Sequence, residues 1–275
     1  MTAAVAGERM SAFIATKEHR RFVEFADAVR KHRYIGLCFG AAGVGKTCSA
    51  RRYARWDVAE PLLTTWGPRD PSDDKVYKAL AQNRAIFYTP TVCCPFRELH
   101  GGIAKLISRV GVCINSHVHR DKLVQTSHST DLAEVLIVDE AERLSNTGLD
   151  HLRDLFDRTG IGVILVGIPG IERRLSRYPQ LYSRVGFAHH YRPLQGDELA
   201  FVLTRHWRQL GLSLEGADFT DAQASAAIAR ITGGNFRLLH RLFVQIERIL
   251  KINDLSVITD DVVEAARSTL VIGTT

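Results

Sequence analysis

The hydrophobic positions of this chain switch between two periods. Phe22, Phe25, Ala26 and Val29 recur at helical spacing, with Arg20, Arg21, Glu24 and Lys31 falling elsewhere, and predict an amphipathic helix over 17–32. The apolar run Tyr34-Ile35-Gly36-Leu37-Cys38-Phe39 predicts a first strand over 34–39, and a helical stretch follows from Cys48 to Trp56. Ala85-Ile86-Phe87-Tyr88 predicts a second strand, 135–138 a third, 162–166 a fourth and 187–191 a fifth. Val135-Leu136-Ile137-Val138 is apolar at every position, as expected of a parallel strand buried on both faces. Helical patterns fill 96–111, 118–133 and 149–159. Strands alternating with helices predict a doubly wound α/β fold, with a parallel five-stranded sheet and helices on both faces.

After Pro193 the strand-like runs stop. Helical patterns cover 196–210, 220–231, 235–252 and 259–270, which predicts a small all-helical domain. The expected division is a tail over 1–16, an α/β domain over 17–193 and a helical domain over 194–275. Within the first domain, Trp66-Gly67-Pro68-Arg69-Asp70-Pro71-Ser72-Asp73-Asp74 is rich in turn formers. It reads equally as a subunit contact or as a solvated excursion.

Composition narrows the class. With 45% hydrophobic and 24% charged residues in 275, the chain reads as a soluble globular protein. No apolar run reaches the ~18–20 residues of a membrane span. Residues 1–11 lack the apolar core of a signal peptide, so a cytoplasmic location and no membrane partner are expected. The five cysteines, Cys38, Cys48, Cys93, Cys94 and Cys113, form no C-x-x-C pair, and their odd number argues against a disulfide framework. A net charge of +6 suggests an anionic partner.

The chemistry is concentrated in two motifs. Gly40-Ala41-Ala42-Gly43-Val44-Gly45-Lys46-Thr47 is a complete G-x-x-x-x-G-K-T phosphate loop between a strand and a helix that starts near Cys48. Its glycines let successive backbone N–H groups turn inward toward an anion, and the helix start adds partial positive charge. Lys46 would reach the β- and γ-phosphates of ATP, and the Thr47 hydroxyl would ligate Mg²⁺. Val135 to Val138 followed by Asp139-Glu140 is the Walker B pattern. The strand would hold Asp139 at the carboxyl edge of the sheet for Mg²⁺, and Glu140 would orient and deprotonate the attacking water.

A third motif, Gly233-Gly234-Asn235-Phe236-Arg237, opens a helix in the second domain. With it the chain resembles the AAA+ ATPases, which pair an α/β nucleotide domain with a small helical lid. The resemblance implies that Arg237 is the lid arginine over the γ-phosphate. It also implies that an arginine near Ser183-Arg184-Val185-Gly186 acts as a finger in the neighbouring subunit's site. Arg184 is the choice, with Arg173, Arg174 and Arg177 as rivals, and such a finger makes full activity depend on an oligomer. One position departs from the family pattern. Strand four ends Val166-Gly167-Ile168-Pro169-Gly170, without the polar residue usual there, so slow intrinsic hydrolysis is expected.

Within that family the stretch from Thr16-Lys17-Glu18-His19-Arg20-Arg21-Phe22 through Asp139-Glu140-Ala141-Glu142-Arg143-Leu144 and Leu165-Val166-Gly167-Ile168-Pro169 is similar to the transposition regulators of the TnsC/TniB type, relatives of phage Mu B protein. The resemblance covers roughly 15–270. It implies an ATP-dependent homo-oligomer, a filament or ring on duplex DNA, that engages a transposase and a target-selection protein. The family's DNA grip points to 97–122, where Arg97, Lys105, Arg109, Arg120 and Lys122 outnumber Glu98 and Asp121, with Ser116, His117 and His119 alongside. Contacts there would go to phosphates. Two other readings use the same motifs: a helicase loader, and a secretion or signalling ATPase that never touches DNA.

Overall fold

The computed structural model describes residues 13–118, 132–215 and 218–270. Five parallel strands, β1 (Ile35–Phe39), β2 (Ala85–Tyr88), β3 (Val135–Val138), β4 (Gly162–Gly167) and β5 (Val185–His190), form one sheet in the order β2-β3-β4-β1-β5. Every residue of β3 and β4 is buried, which explains their unbroken apolar runs, whereas β5 alternates as an edge strand does. Phe39 pairs with Gly167 and Val138 with Leu165, so the end of β4 lies between the loops that follow β1 and β3. Ligands of open α/β sheets bind at that carboxyl edge.

Helix α1 (Lys17–His32) begins where the Thr16 hydroxyl accepts the His19 N–H at 3.0 Å, and it ends at Arg33 in a left-handed conformation. Its buried stripe contains the expected Phe22, Phe25, Ala26 and Val29 and packs on β4 and β5. Beyond the phosphate loop the helix expected over 48–56 is α2 (Lys46–Tyr53); Arg55 then turns left-handed with φ 49°, and α3 (Trp56–Thr65) follows, a helix the sequence reading does not place. The 66–74 segment holds a single 3₁₀ turn, Pro71–Asp73, closed by a reciprocal capping box between Asp70 and Asp73. It runs directly into α4 (Asp74–Asn83), a helix hidden from the sequence reading by the turn formers before it. Helix α5 (Phe96–Val118) is longer than expected, and most of the second predicted helix, residues 119–131, lies outside the described residues. Helices α6 (Asn146–Thr159), α7 (Ile171–Ser176) and α8 (Pro179–Tyr182) complete the coverage of the sheet.

The strandless part contains α9 (Gly196–Gln209), α10 (Phe219–Thr232), α11 (Phe236–Ile252) and α12 (Asp260–Ser268). Buried apolar residues fall into two clusters. One surrounds the sheet and runs from Phe22 to Tyr191; the other runs from Leu194 to Ala266 around Trp207, Leu239, Leu242 and Ile246. The Glu198 carboxylate of α9 accepts the N–H groups of Lys17 and Glu18, so an acid of the helical part sits at the start of α1. Among the described residues no helix is long and apolar enough to cross a membrane.

Candidate nucleotide site

The loop from Gly40 to Gly45 joins β1 to α2. Gly43 (φ +81°) and Gly45 (φ +111°) occupy conformations that L side chains rarely adopt, so glycine is needed at both. The Lys46 ammonium is buried under the loop and donates to the carbonyls of Gly40 (2.6 Å) and Ala41 (2.8 Å). Burial pulls its pKa below the ordinary value, against the opposing pull of Cys38, Asp139 and Glu142. The Thr47 hydroxyl donates to Asp139 Oδ2 at 2.7 Å, joining the two motifs across 92 positions of sequence. Asp139 is 3% exposed, and burial raises its pKa against the Thr47 hydrogen bond. A hydroxyl and a carboxylate at one point suit a hard cation such as Mg²⁺, which keeps most of its waters. When bound, that ion would screen phosphate charge.

Glu140 follows Asp139 but takes a left-handed conformation, φ 48°, and its carboxylate pairs with Arg143. Arg143 also donates to the Pro90 carbonyl at 2.9 Å, at the loop after β2. The sequence motif locates Glu140; nothing in it points to Arg143, whose second partner, Pro90, becomes a neighbour only through the pairing of β2 with β3.

The lid motif sits directly on the phosphate loop. Asn235 caps α11 by accepting from the backbone N–H groups of Arg237 (3.1 Å) and Leu238 (3.3 Å). Its amide donates to Ala42 O at 2.7 Å, and the Arg237 N–H donates to Gly43 O at 3.1 Å. A side chain at Gly43 has no room: its Cβ would stand 2.6 Å from Asn235 Oδ1. The Arg237 side chain is exposed and shares a cavity of about 310 Å³ with Gly43, Gly45, Lys46, Thr47 and Cys48. The rest of that cavity is lined by Phe13, Ile14, Tyr191, His206, Phe236 and His240, among others. A phosphate cradle beside an aromatic chamber is suited to a purine nucleotide. Ser49 ties the chamber wall together, 3.0 Å from His19 Nδ1 and 2.7 Å from the Tyr191 hydroxyl. Burial pulls the pKa of His206 down to about 4, so it is neutral at physiological pH. These wall residues come from four distant parts of the chain and carry no spacing that a sequence reading could use.

Arg184 lies elsewhere. It precedes β5, at the amino edge of the sheet and opposite the phosphate loop, and grips Asp157 with a two-pronged ion pair at 2.6 and 2.8 Å. It therefore takes no part in the site of its own chain. Arg174 is committed too: it donates to Glu142 O at 3.0 Å and to Leu144 O. Arg173 and Arg177 are exposed and form no ion pair among the described residues. Of the basic stretch, Lys105 is exposed on α5, and Ser116 and His117 are half-buried near its end. Arg109 donates to the Leu63 and Thr64 carbonyls and lies 5.0 Å over the Trp66 ring, which commits it to closing the end of α3. His119, Arg120 and Lys122 lie outside the described residues.

Comparison with known proteins agrees with this geometry. The family model described as "AAA domain" matches residues 29–175. A "Potential ATP-binding protein" of Staphylococcus aureus is 43% identical over 265 residues, covering 95% of this chain and 97% of the relative. The Mu-like prophage FluMu DNA transposition protein B of Haemophilus influenzae is 26% identical over 181 residues, covering 63% of this chain and 54% of the relative. Among solved structures, the RuvB Holliday junction branch migration motor of Thermotoga maritima superposes with a TM-score of 0.55 at 18% identity, covering 94% of this chain and 70% of that one. Cdc6p of Pyrobaculum aerophilum superposes with a TM-score of 0.56 at 12% identity, covering 98% and 71%. With its phosphate loop, Walker B acids and lid in the arrangement described, the chain belongs to the AAA-domain family of P-loop ATPases.

Proposed function

We propose that this protein is an ATP-hydrolysing regulator of DNA transposition. In this reading it oligomerises on duplex DNA when ATP is bound, engages a transposase, and leaves the DNA on hydrolysis. The observation that carries the reading is the similarity to the Haemophilus transposition protein B, which extends over 181 residues. Lys46 and Arg237 hold the phosphates, Thr47 and Asp139 hold Mg²⁺, and Glu140 activates water. Arg184 serves as the finger for the adjacent subunit, where it would exchange Asp157 for a phosphoryl oxygen. Lys105 on α5 and the basic residues beyond it supply phosphate contacts, a sequence-independent and salt-sensitive grip. The residues 17–193 and 194–275 act as two bodies that close on the nucleotide. A target-selection protein as a further partner and a cytoplasmic location complete the reading.

Electron microscopy of the protein with duplex DNA and a non-hydrolysable ATP analogue tests it. Regular filaments or rings are expected. Dispersed single particles on bare DNA would contradict it. A helicase loader would share the nucleotide site, and capture of a replicative helicase instead of a transposase would identify one.

A further inference from the structure

The end of β4 lacks a polar side chain, yet a carboxylate occupies the space. Gly167 closes β4 between the loops carrying Lys46 and Asp139. A Cβ built on Gly167 would lie 2.9 Å from Glu142 Oε2 and 2.7 Å from Ile171 Cδ1. The glycine therefore leaves the volume into which Glu142 projects from the 3₁₀ turn Ala141–Arg143. That oxygen is shielded from solvent and has no hydrogen-bond partner among the described residues. Glu142 is also close enough to Lys46 to stabilise its ammonium charge.

The turn is held in place. Arg174 of α7, which follows β4, donates to Glu142 O at 3.0 Å, to Leu144 O, and to Asn146 Oδ1 at 3.5 Å. The backbone of the turn that carries Glu142 is thus tied to the helix that follows β4. A buried carboxylate oxygen without a donor is unfavourable, and it gains most when a donor arrives. Its neighbour Glu140 also has a shielded oxygen without a hydrogen-bond partner but forms an ion pair with Arg143, whereas Glu142 forms no ion pair among the described residues.

We propose that Glu142 is a positioning residue for the attacking water, supplying from the turn after β3 the acceptor that β4 lacks. The proposal rests on the ATPase reading. In hydrolysis the water oxygen bonds to the terminal phosphorus, and the bridging P–O bond breaks with its electron pair leaving on ADP. One water proton passes to Glu140. Glu142 accepts a hydrogen bond from the other hydrogen and takes no proton.

The test measures kcat, KM and the affinity for a fluorescent ATP analogue in the wild type, Glu142→Ala and Glu142→Gln. Glutamine keeps an acceptor oxygen in the same place. Glu142→Ala is expected to lower kcat by about tenfold or more, with KM and analogue affinity within about threefold of wild type, whereas Glu142→Gln stays within about threefold of wild-type kcat. Wild-type kcat in Glu142→Ala overturns the proposal, and so does loss of analogue binding, which would make the residue structural. A glutamine variant as slow as the alanine variant overturns it too. If Glu142→Ala does not fold, Gly167→Ala tests the same space, because its methyl displaces the carboxylate; unchanged kcat there is contrary. Absence of hydrolysis by the wild type, with DNA present, defeats the ATPase reading itself, whereas normal hydrolysis by Glu142→Ala defeats only the role of Glu142.

Discussion

His206 illustrates how burial sets the charge of one residue. It stacks on Phe243 with ring centroids 4.4 Å apart, and burial, helped by nearby His240 and Arg205 and opposed by a Gln209 hydrogen bond, lowers its pKa from 6.5 to about 4. The folded state therefore resists protonation that the unfolded chain accepts. Its contribution is complete above pH 6.5 and is lost as pH falls toward 4. Between pH 7 and 5 the loss is of the order of 2 kcal/mol. Urea melts of wild type and His206→Phe at the two pH values check this: the wild type should lose more stability on acidification than the variant, and parallel losses would be contrary. At this scale the sequence was legible only where chemistry has a fixed local spacing. The motifs single out Lys46, Thr47 and Asp139, and the Thr47 hydroxyl donates to Asp139 across the 92 positions between them. The contact of Arg143 with Pro90 and those of Arg174 with Glu142 and Leu144 depend on neighbours that the sheet brings together, so no window of sequence contains them.

At the scale of elements, capping and contact coincide at the start of α11. Asn235 both caps the helix and donates to Ala42 O, so one residue couples lid stability to the phosphate loop. Serine separates the two roles, since its hydroxyl caps a helix but is too short to reach the loop. Asn235→Ser should keep the unfolding free energy within about 0.5 kcal/mol of wild type while weakening ATP by about tenfold. Unchanged ATP affinity, read by isothermal titration, would show that the lid does not control the loop. The strands and the lid helices were readable because their periods are sustained. Helix α3 was not, because Pro61 lies inside it and Arg55 separates it from α2 by a left-handed turn that no residue preference signals. The start of α4 was obscured because Asp70, Pro71, Ser72 and Asp73 favour turns as strongly as Val76, Tyr77 and Leu80 favour a buried helical face.

At the scale of the molecule, two hydrophobic cores meet over one nucleotide site. Strand-like runs cease near residue 193 in the sequence, and the buried clusters divide between Tyr191 and Leu194. The contact between them was not visible: Asn235 meets Ala42 across 193 positions, and Glu198 meets Lys17 across 181. This arrangement places the lid motif on the phosphate loop, and on the proposed function it would make assembly on DNA depend on nucleotide. On the proposed function, ATP holds the protein on duplex DNA and hydrolysis through Glu140 releases it. Dissociation from a fluorescent duplex after dilution, followed for wild type and Glu140→Gln with ATP and Mg²⁺, tests it most directly. Both proteins are expected to bind only with ATP, with release of the wild type and retention of the variant at least about tenfold longer. Binding that ignores nucleotide, or equally rapid release of the two proteins, would contradict it.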